Sequence, residues 1–237
     1  MAIYALIGGK VNRTKVNNRI EKELLKLTGK ERPSILYCPF AALDINKSIM
    51  KFHQMMEGIN ADIIDLTTDN EEQFEELLKN ADMLYIGGGM SDDLIRYFKI
   101  KKYDVLLKKY EDSNIIYAGS SAGAMLYTKI SMGDKYMYSD NFHNYNYKMV
   151  LGLGLLNISM CPHYQTEDLI FYNDVIKEYG LLSFGIEEDT CLVINQNKYY
   201  VLKDDFSMSL YEFDPKDGYK MKPLYEGEIY ENSSIRS

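Results

Sequence analysis

The sequence predicts an α/β fold in three layers: a doubly wound, mostly parallel sheet with helices on its faces and an antiparallel extension at the C-terminal end. Three observations predict it. Five short runs in the first half are predominantly apolar, the pattern of strands buried on both faces. Amphipathic stretches of helical length separate them, so strand and helix alternate as in parallel βαβ units. The last part of the chain alternates polar with Tyr, Leu and Met around turn signals, as antiparallel hairpins do.

The elements follow in order. "AIYALIG" (2–8) is the first strand; with no basic stretch before it, it reads as a strand and not as a signal peptide. Strands follow at "SILYCPF" (34–40), "ADIIDL" (61–66), "DMLYIGGG" (82–89) and "NIIYAGS" (114–120). Helices fill 17–28, 44–57, 71–80 and 92–110, the last with a Lys-rich break near 99–102. "SSAGAMLYTKI" reads as a helix, and the Tyr-, Asn- and Gly-rich stretch 131–156 as a long loop with one short strand. "LNISMCPHY" (156–164), a helix over 166–179 and "LSFGIEEDTCLVI" (182–194) come next, then hairpin strands over 197–231 with "DPKDG" (214–218) as a turn. No linker and no internal repeat interrupts the 237 residues, which predicts a single domain over 1–237.

The net charge of -8 and pI near 5.0 argue against nucleic acid or an anionic membrane as partner, because both would be repelled. No apolar stretch approaches a membrane span, and a cytoplasmic protein is expected. Cys38, Cys161 and Cys191 are few, far apart and set in apolar runs, so they read as buried thiols. No metal site and no cofactor is expected.

Gly119, Ser121 and Gly123 form G-x-S-x-G between the strand "NIIYA" and the small-residue helix start "AGAML". That is the strand–turn–helix setting of a nucleophile elbow, where the middle residue projects from a sharp turn and its neighbours must be small. Ser121 is the candidate nucleophile. A hydroxyl needs a base. Of three histidines, His53 falls in an amphipathic helix and His143 in the Tyr/Asn loop. His163 follows a strand-like run and a proline, at the kind of strand end where α/β sites gather. His163 is the candidate base. Glu187, Glu188 and Asp189 follow another apolar run, and any one of them could orient it. For an oxyanion hole, Ala122 offers the amide after the nucleophile, and Gly87-Gly88-Gly89 offers unhindered backbone. The glycine run is neither G-x-G-x-x-G nor a P-loop, which argues against phosphate binding.

"LIGGK", "YIGGGM", "AGSSAGAM", "CPHY" and "FGIEEDT", in this order and spacing, resemble the S51 serine peptidases, the family of dipeptidase E and cyanophycinase. The resemblance covers nearly the whole chain. It implies a class I glutamine amidotransferase-like fold with serine in place of cysteine, and a Ser-His-Glu triad acting through an acyl-enzyme on short peptides. It places the nucleophile at Ser121, the base at His163, the acid at Glu188 with Glu187 as the alternative, and an oxyanion amide at Gly88 and Gly89. Two departures stand out. Met90 follows the glycine run where relatives usually carry Asn. No arginine occurs between Arg96 and Arg236, so an acidic substrate side chain would have to rely on Lys135, Lys148 or backbone amides. Weak preference for Asp at the scissile position is therefore expected, with the Tyr-rich segment 136–147 in the pocket wall. The competing readings are an esterase or amidase with the same triad and a non-catalytic binding domain of the same fold. A homodimer is left open.

Overall fold

The computed structural model describes residues 1–10, 18–67, 70–134, 147–165 and 169–236. The first strand, β1 (Ile3–Ile7), alternates its side chains between two cores, as a pleated strand must. Tyr4 and Leu6 face one core, Ala5 and Ile7 the other. Parallel strands β2 (Ser34–Cys38), β3 (Asp62–Asp65), β4 (Met83–Ile86) and β5 (Ile116–Ser120) lie on one side of it, in the order β1-β5-β4-β2-β3. Helices α1 (Arg19–Lys26) and α2 (Ile45–Met55) cover one face, burying Ile20, Leu24, Phe52 and Met55. Helices α3 (Glu71–Asn80), α4 (Ser91–Ile100) and α5 (Tyr103–Lys109) bury Phe74, Leu78, Leu94, Phe98 and Leu107 on the other. Asp44 and Asn70 cap α2 and α3 by accepting the N–H of Lys47 and Gln73. The expected break between α4 and α5 falls at Lys102, whose φ is 57°.

Beyond β5 three expectations are corrected. The helix after the elbow is one turn only, α6 (Ala122–Met125), and β6 (Thr128–Asp134) follows at once. The β-branched Thr128 and Ile130 favour the strand, and the Thr128 hydroxyl donates to the Met125 carbonyl (2.9 Å), closing the turn. The stretch 131–156 holds the end of β6 and all of β7 (Tyr147–Leu151), while 135–146 lie outside the described residues. Finally, the strands form two sheets, not one mostly parallel sheet. The eight-stranded sheet has four parallel pairings of seven, and the six-stranded sheet two of five.

The C-terminal antiparallel extension exists but is shared between the sheets. Strands β10 (Thr190–Asn195), β11 (Lys198–Lys203) and β14 (Tyr230–Glu231) continue the large sheet from β1. Strands β12 (Leu210–Phe213) and β13 (Lys222–Leu224) continue the small one from β9 (Leu182–Ile186) and β8 (Leu156–Pro162). The segment 182–194 is thus two strands in two sheets, parted by the acidic run. Ile158, Met160, Phe184 and Ile186 pack the small sheet into the same core as α3–α5. Its outer face buries Tyr164 and Phe213 with Tyr172 and Ile176 of α7 (Leu169–Tyr179). No described helix is long and apolar enough to cross a membrane.

Candidate active site

Ser121 sits between β5 and α6 with φ 52° and ψ -115°, a strained turn for a residue with a side chain. The two motif glycines make the turn sterically accessible. A Cβ on Gly119 would lie 2.3 Å from the Gly123 backbone, and one on Gly123 would lie 2.2 Å from the Ile86 carbonyl oxygen. The same contact brings the glycine loop after β4 against the elbow helix.

The Ser121 Oγ lies 2.8 Å from His163 Nε2, and His163 Nδ1 lies 2.9 Å from Glu188 Oε1. An ionised carboxylate only accepts, so Nδ1–H donates to Glu188 and leaves Nε2 to accept from the serine hydroxyl. The hydrogen bond from His163 holds the Glu188 carboxyl below its ordinary value, against a smaller opposing effect of burial. His163 and Glu188 are both partly open to solvent.

The end of β1 organises all three positions. Consecutive carbonyls of Ile7, Gly8 and Gly9 accept the backbone N–H of Ser121 (2.9 Å), His163 (3.1 Å) and Asp189 (2.9 Å). Each of these donors has positive φ: 52°, 52° and 54°. Three tight turns, on β5, after β8 and between β9 and β10, are thus hung on one strand end. Gly9 also packs against the imidazole, since a Cβ there would lie 2.3 Å from His163 Cε1. Sequence reasoning missed this role for Ile7, Gly8 and Gly9. The signal available was the pair of glycines closing the first strand.

The acids separate by contact. The Glu187 carboxylate accepts the Ser209 N–H (2.7 Å), whereas Glu188 meets His163. The Asp189 side chain is buried. In the glycine loop, the Gly87 N–H donates to the Cys38 carbonyl (2.9 Å) and the Met90 N–H to the Ala41 carbonyl (2.7 Å). Gly88 and Gly89 lie between these two anchors. At Gly89, with φ 148°, a Cβ would lie 1.9 Å from the Ala41 carbonyl oxygen, so only glycine fits. Ala122 is the first residue of α6, where a helical amide has no partner within its own helix.

The other candidates lie apart. His53 pairs with Asp65 at the sheet edge (2.9 Å), and His143 and Lys135 lie outside the described residues. Lys148 forms an ion pair with Asp92. All three cysteines are buried and unpaired by disulfide, and burial pushes the Cys38 thiol up to about 12. Among the described residues no group of three or more His, Cys, Asp or Glu is placed to hold a metal ion.

The sequence model of peptidase family S51 matches residues 3–202. The chain belongs to peptidase family S51. The chain is 24% identical over 167 residues to the uncharacterized peptidase YgaJ of Bacillus subtilis (strain 168), covering 70% of this chain and 69% of that one. Its fold is similar to that of a peptidase from an acI-B1 Actinobacterium, with a TM-score of 0.72 at 19% identity over 98% of this chain and 97% of the other. It is also similar to a putative peptidase E protein from Listeria monocytogenes EGD-e, with a TM-score of 0.62 at 16% identity over 86% and 98%. As an S51 member the chain is expected to be a hydrolase of the peptidase class.

Proposed function

We propose that this S51 member is a serine peptidase that hydrolyses short peptides through a Ser121–His163–Glu188 triad. The observation that carries the reading is the unbroken hydrogen-bonded chain from Ser121 through His163 to Glu188. Ser121 Oγ attacks the scissile carbonyl carbon while its proton passes to His163 Nε2. Glu188 holds the imidazole in the required tautomer and stabilises the imidazolium that forms. The Ala122 N–H and the amides of Gly88 and Gly89 stabilise the oxyanion. As the tetrahedral intermediate collapses, the C–N bond breaks and His163 returns the proton to the leaving amine. Water, deprotonated by His163, then attacks the acyl-serine, and the acid product leaves with Ser121 restored.

Peptides are favoured as substrates by the family and by the peptidase names of the relatives. The class I glutamine amidotransferase-like arrangement belongs to the same reading, supported by an elbow serine at the carboxyl end of β5 backed by α6. Strong selection for Asp is disfavoured, because Lys148 is engaged by Asp92 and Arg96 by Asp93.

The test combines a dipeptide panel with fluorophosphonate labelling of wild type, Ser121→Ala and Ser120→Ala. Labelling is expected at Ser121, with at least ~10³-fold loss of kcat in Ser121→Ala. Ser120, buried within β5, should be dispensable. Ester turnover without peptide turnover would replace the peptidase reading by an esterase one. No Ser121-dependent labelling would leave a binding domain.

A further inference from the structure

Directly after the two glycines that hold the triad turns comes Lys10, and its side chain is buried in an ion cluster. The Lys10 ammonium contacts Glu21 Oε2 (3.0 Å) and Asp204 Oδ2, and the three side chains are 1%, 0% and 1% exposed. Burial pushes a lysine toward its neutral form, but the two carboxylates more than offset this and hold Lys10 above its ordinary value. Such a cluster is expensive to desolvate and commonly adds little net stability over an apolar replacement. Its connections indicate a different use. Glu21 Oε1 accepts the Tyr85 hydroxyl (3.2 Å) from β4, the strand that ends in the glycine loop. Asp204 Oδ1 accepts the Ile20 N–H (2.8 Å) at the start of α1. The Asp204 N–H donates to the Asp189 carbonyl (2.8 Å), and the Asp189 N–H donates to the Gly9 carbonyl (2.9 Å). The contacts therefore close a ring: Gly9 to Lys10, Lys10 to Asp204, Asp204 to Asp189, and Asp189 back to Gly9. Glu188 is the chain neighbour of Asp189, one residue outside that ring.

We propose that Lys10, Glu21 and Asp204 are positioning residues for the triad, clamping the end of β1 against the acid loop so that Glu188 and His163 keep their register with Ser121. The proposal rests on the catalytic reading given above. Glycines have no side chains with which to anchor themselves, so the conformation of Gly8-Gly9 is set by what grips the chain on either side. On one side that is the sheet; on the other it is the Lys10 ammonium. Removing the ammonium leaves two carboxylates facing each other in a dry site. Their repulsion opens the ring at the Asp204–Asp189 side, next to Glu188.

The test is steady-state kinetics normalised to active sites titrated with a fluorophosphonate, on wild type, Lys10→Met and Asp204→Asn. Asp204→Asn keeps an oxygen for the Ile20 N–H but turns an NH2, which cannot accept, toward the Lys10 ammonium, so it breaks that contact while Lys10 keeps Glu21, and it serves if Lys10→Met fails to fold. A positioning role predicts kcat per titrated site down ~10- to 100-fold, with KM changed less than ~3-fold, since sub-ångström to ångström misplacement acts on the chemical step. A merely structural role would lower the melting temperature and the number of titratable sites while leaving kcat per site at the wild-type value. That result overturns the inference, as would a rise in KM at constant kcat. Ser121→Ala, assayed alongside, separates the two levels. Wild-type turnover in Ser121→Ala would reject the catalytic reading itself. An inactive Ser121→Ala beside a fully active Lys10→Met would reject only the positioning role.

Discussion

Replacing Gly9 by alanine adds one methyl group at a point where the structure has room for none. The new Cβ would lie 2.3 Å from His163 Cε1 and 2.5 Å from Nδ1. Carbon atoms pack at about 3.5 Å or more, so the imidazole must retreat by about 1 Å. It has no slack to do so in place, because its two nitrogens are held at 2.8 and 2.9 Å by Ser121 and Glu188, and a contact stretched to ~3.6 Å is no longer a hydrogen bond. One of the two bonds is lost, and a misplacement of ~1 Å at a reacting group costs on the order of 10²-fold in rate. The fold should tolerate the change. The ring is about half exposed (46%) and can swing outward, and Gly9 does not have the positive φ that would exclude alanine. Loss of glycine freedom in the unfolded chain even favours the variant by ~0.4–1 kcal/mol. The expected outcome is kcat down about 100-fold with an unchanged or slightly higher Tm. Gly8→Ala is the contrast. Its Cβ would strike the Ile186 and Glu187 carbonyl oxygens at 2.3 Å, and backbone cannot swing aside, so stability should fall. Wild-type kcat in Gly9→Ala, or a collapse in Tm with normal kcat per folded molecule, would refute the steric argument.

Three further outcomes can be measured. Glu188→Gln should lose ~10²- to 10⁴-fold in kcat, while Glu187→Gln should stay within ~3-fold, because its carboxylate serves the Ser209 amide; equal effects would show that the acid is misassigned. The Glu188 carboxyl is held below its ordinary 4.5, so its contribution to stability is complete above that pH and lost as pH falls through the lower folded value. Urea titrations of wild type and Glu188→Gln should therefore converge progressively as pH falls below 4.5, and a pH-independent gap would contradict this. Iodoacetamide at pH 7.5 should leave activity intact, since all three thiols are buried and two are held far above their ordinary value; inactivation would point to a cysteine.

The legible part of this fold is the part whose side chains report both faces at once. The strands β4 and β5 are buried throughout, and β1 and β2 in all but their first residue, and they show as mainly apolar runs. Ser121 was legible because Gly119 and Gly123 are required by backbone contacts that no larger residue survives. His163 was legible from its place after a strand and a proline. The choice among Glu187, Glu188 and Asp189 was open on local grounds, because it depends on a turn whose positive φ at Asp189 is imposed by Gly9, far away in sequence. The second sheet escaped for a similar reason: an apolar run does not say which sheet it joins, and 182–194 joins both. Lys10 and Asp204 lie 194 positions apart, beyond the reach of any periodicity.

The place of β10 has a consequence for when the enzyme can first act. Ser121 is in the chain early, but the imidazole and carboxylate of the proposed triad come later, and β10 must slot in beside β1, with Cys191 opposite Ile7, before the Glu188–Asp189 turn is formed. A chain under synthesis therefore carries a serine with no partner until residues near 203 have emerged and the β10–β11 hairpin has docked. Such long-range pairing closes slowly. The newborn molecule is chemically silent for most of its assembly, and on refolding from urea its turnover should return with the slowest phase, after helix content has recovered.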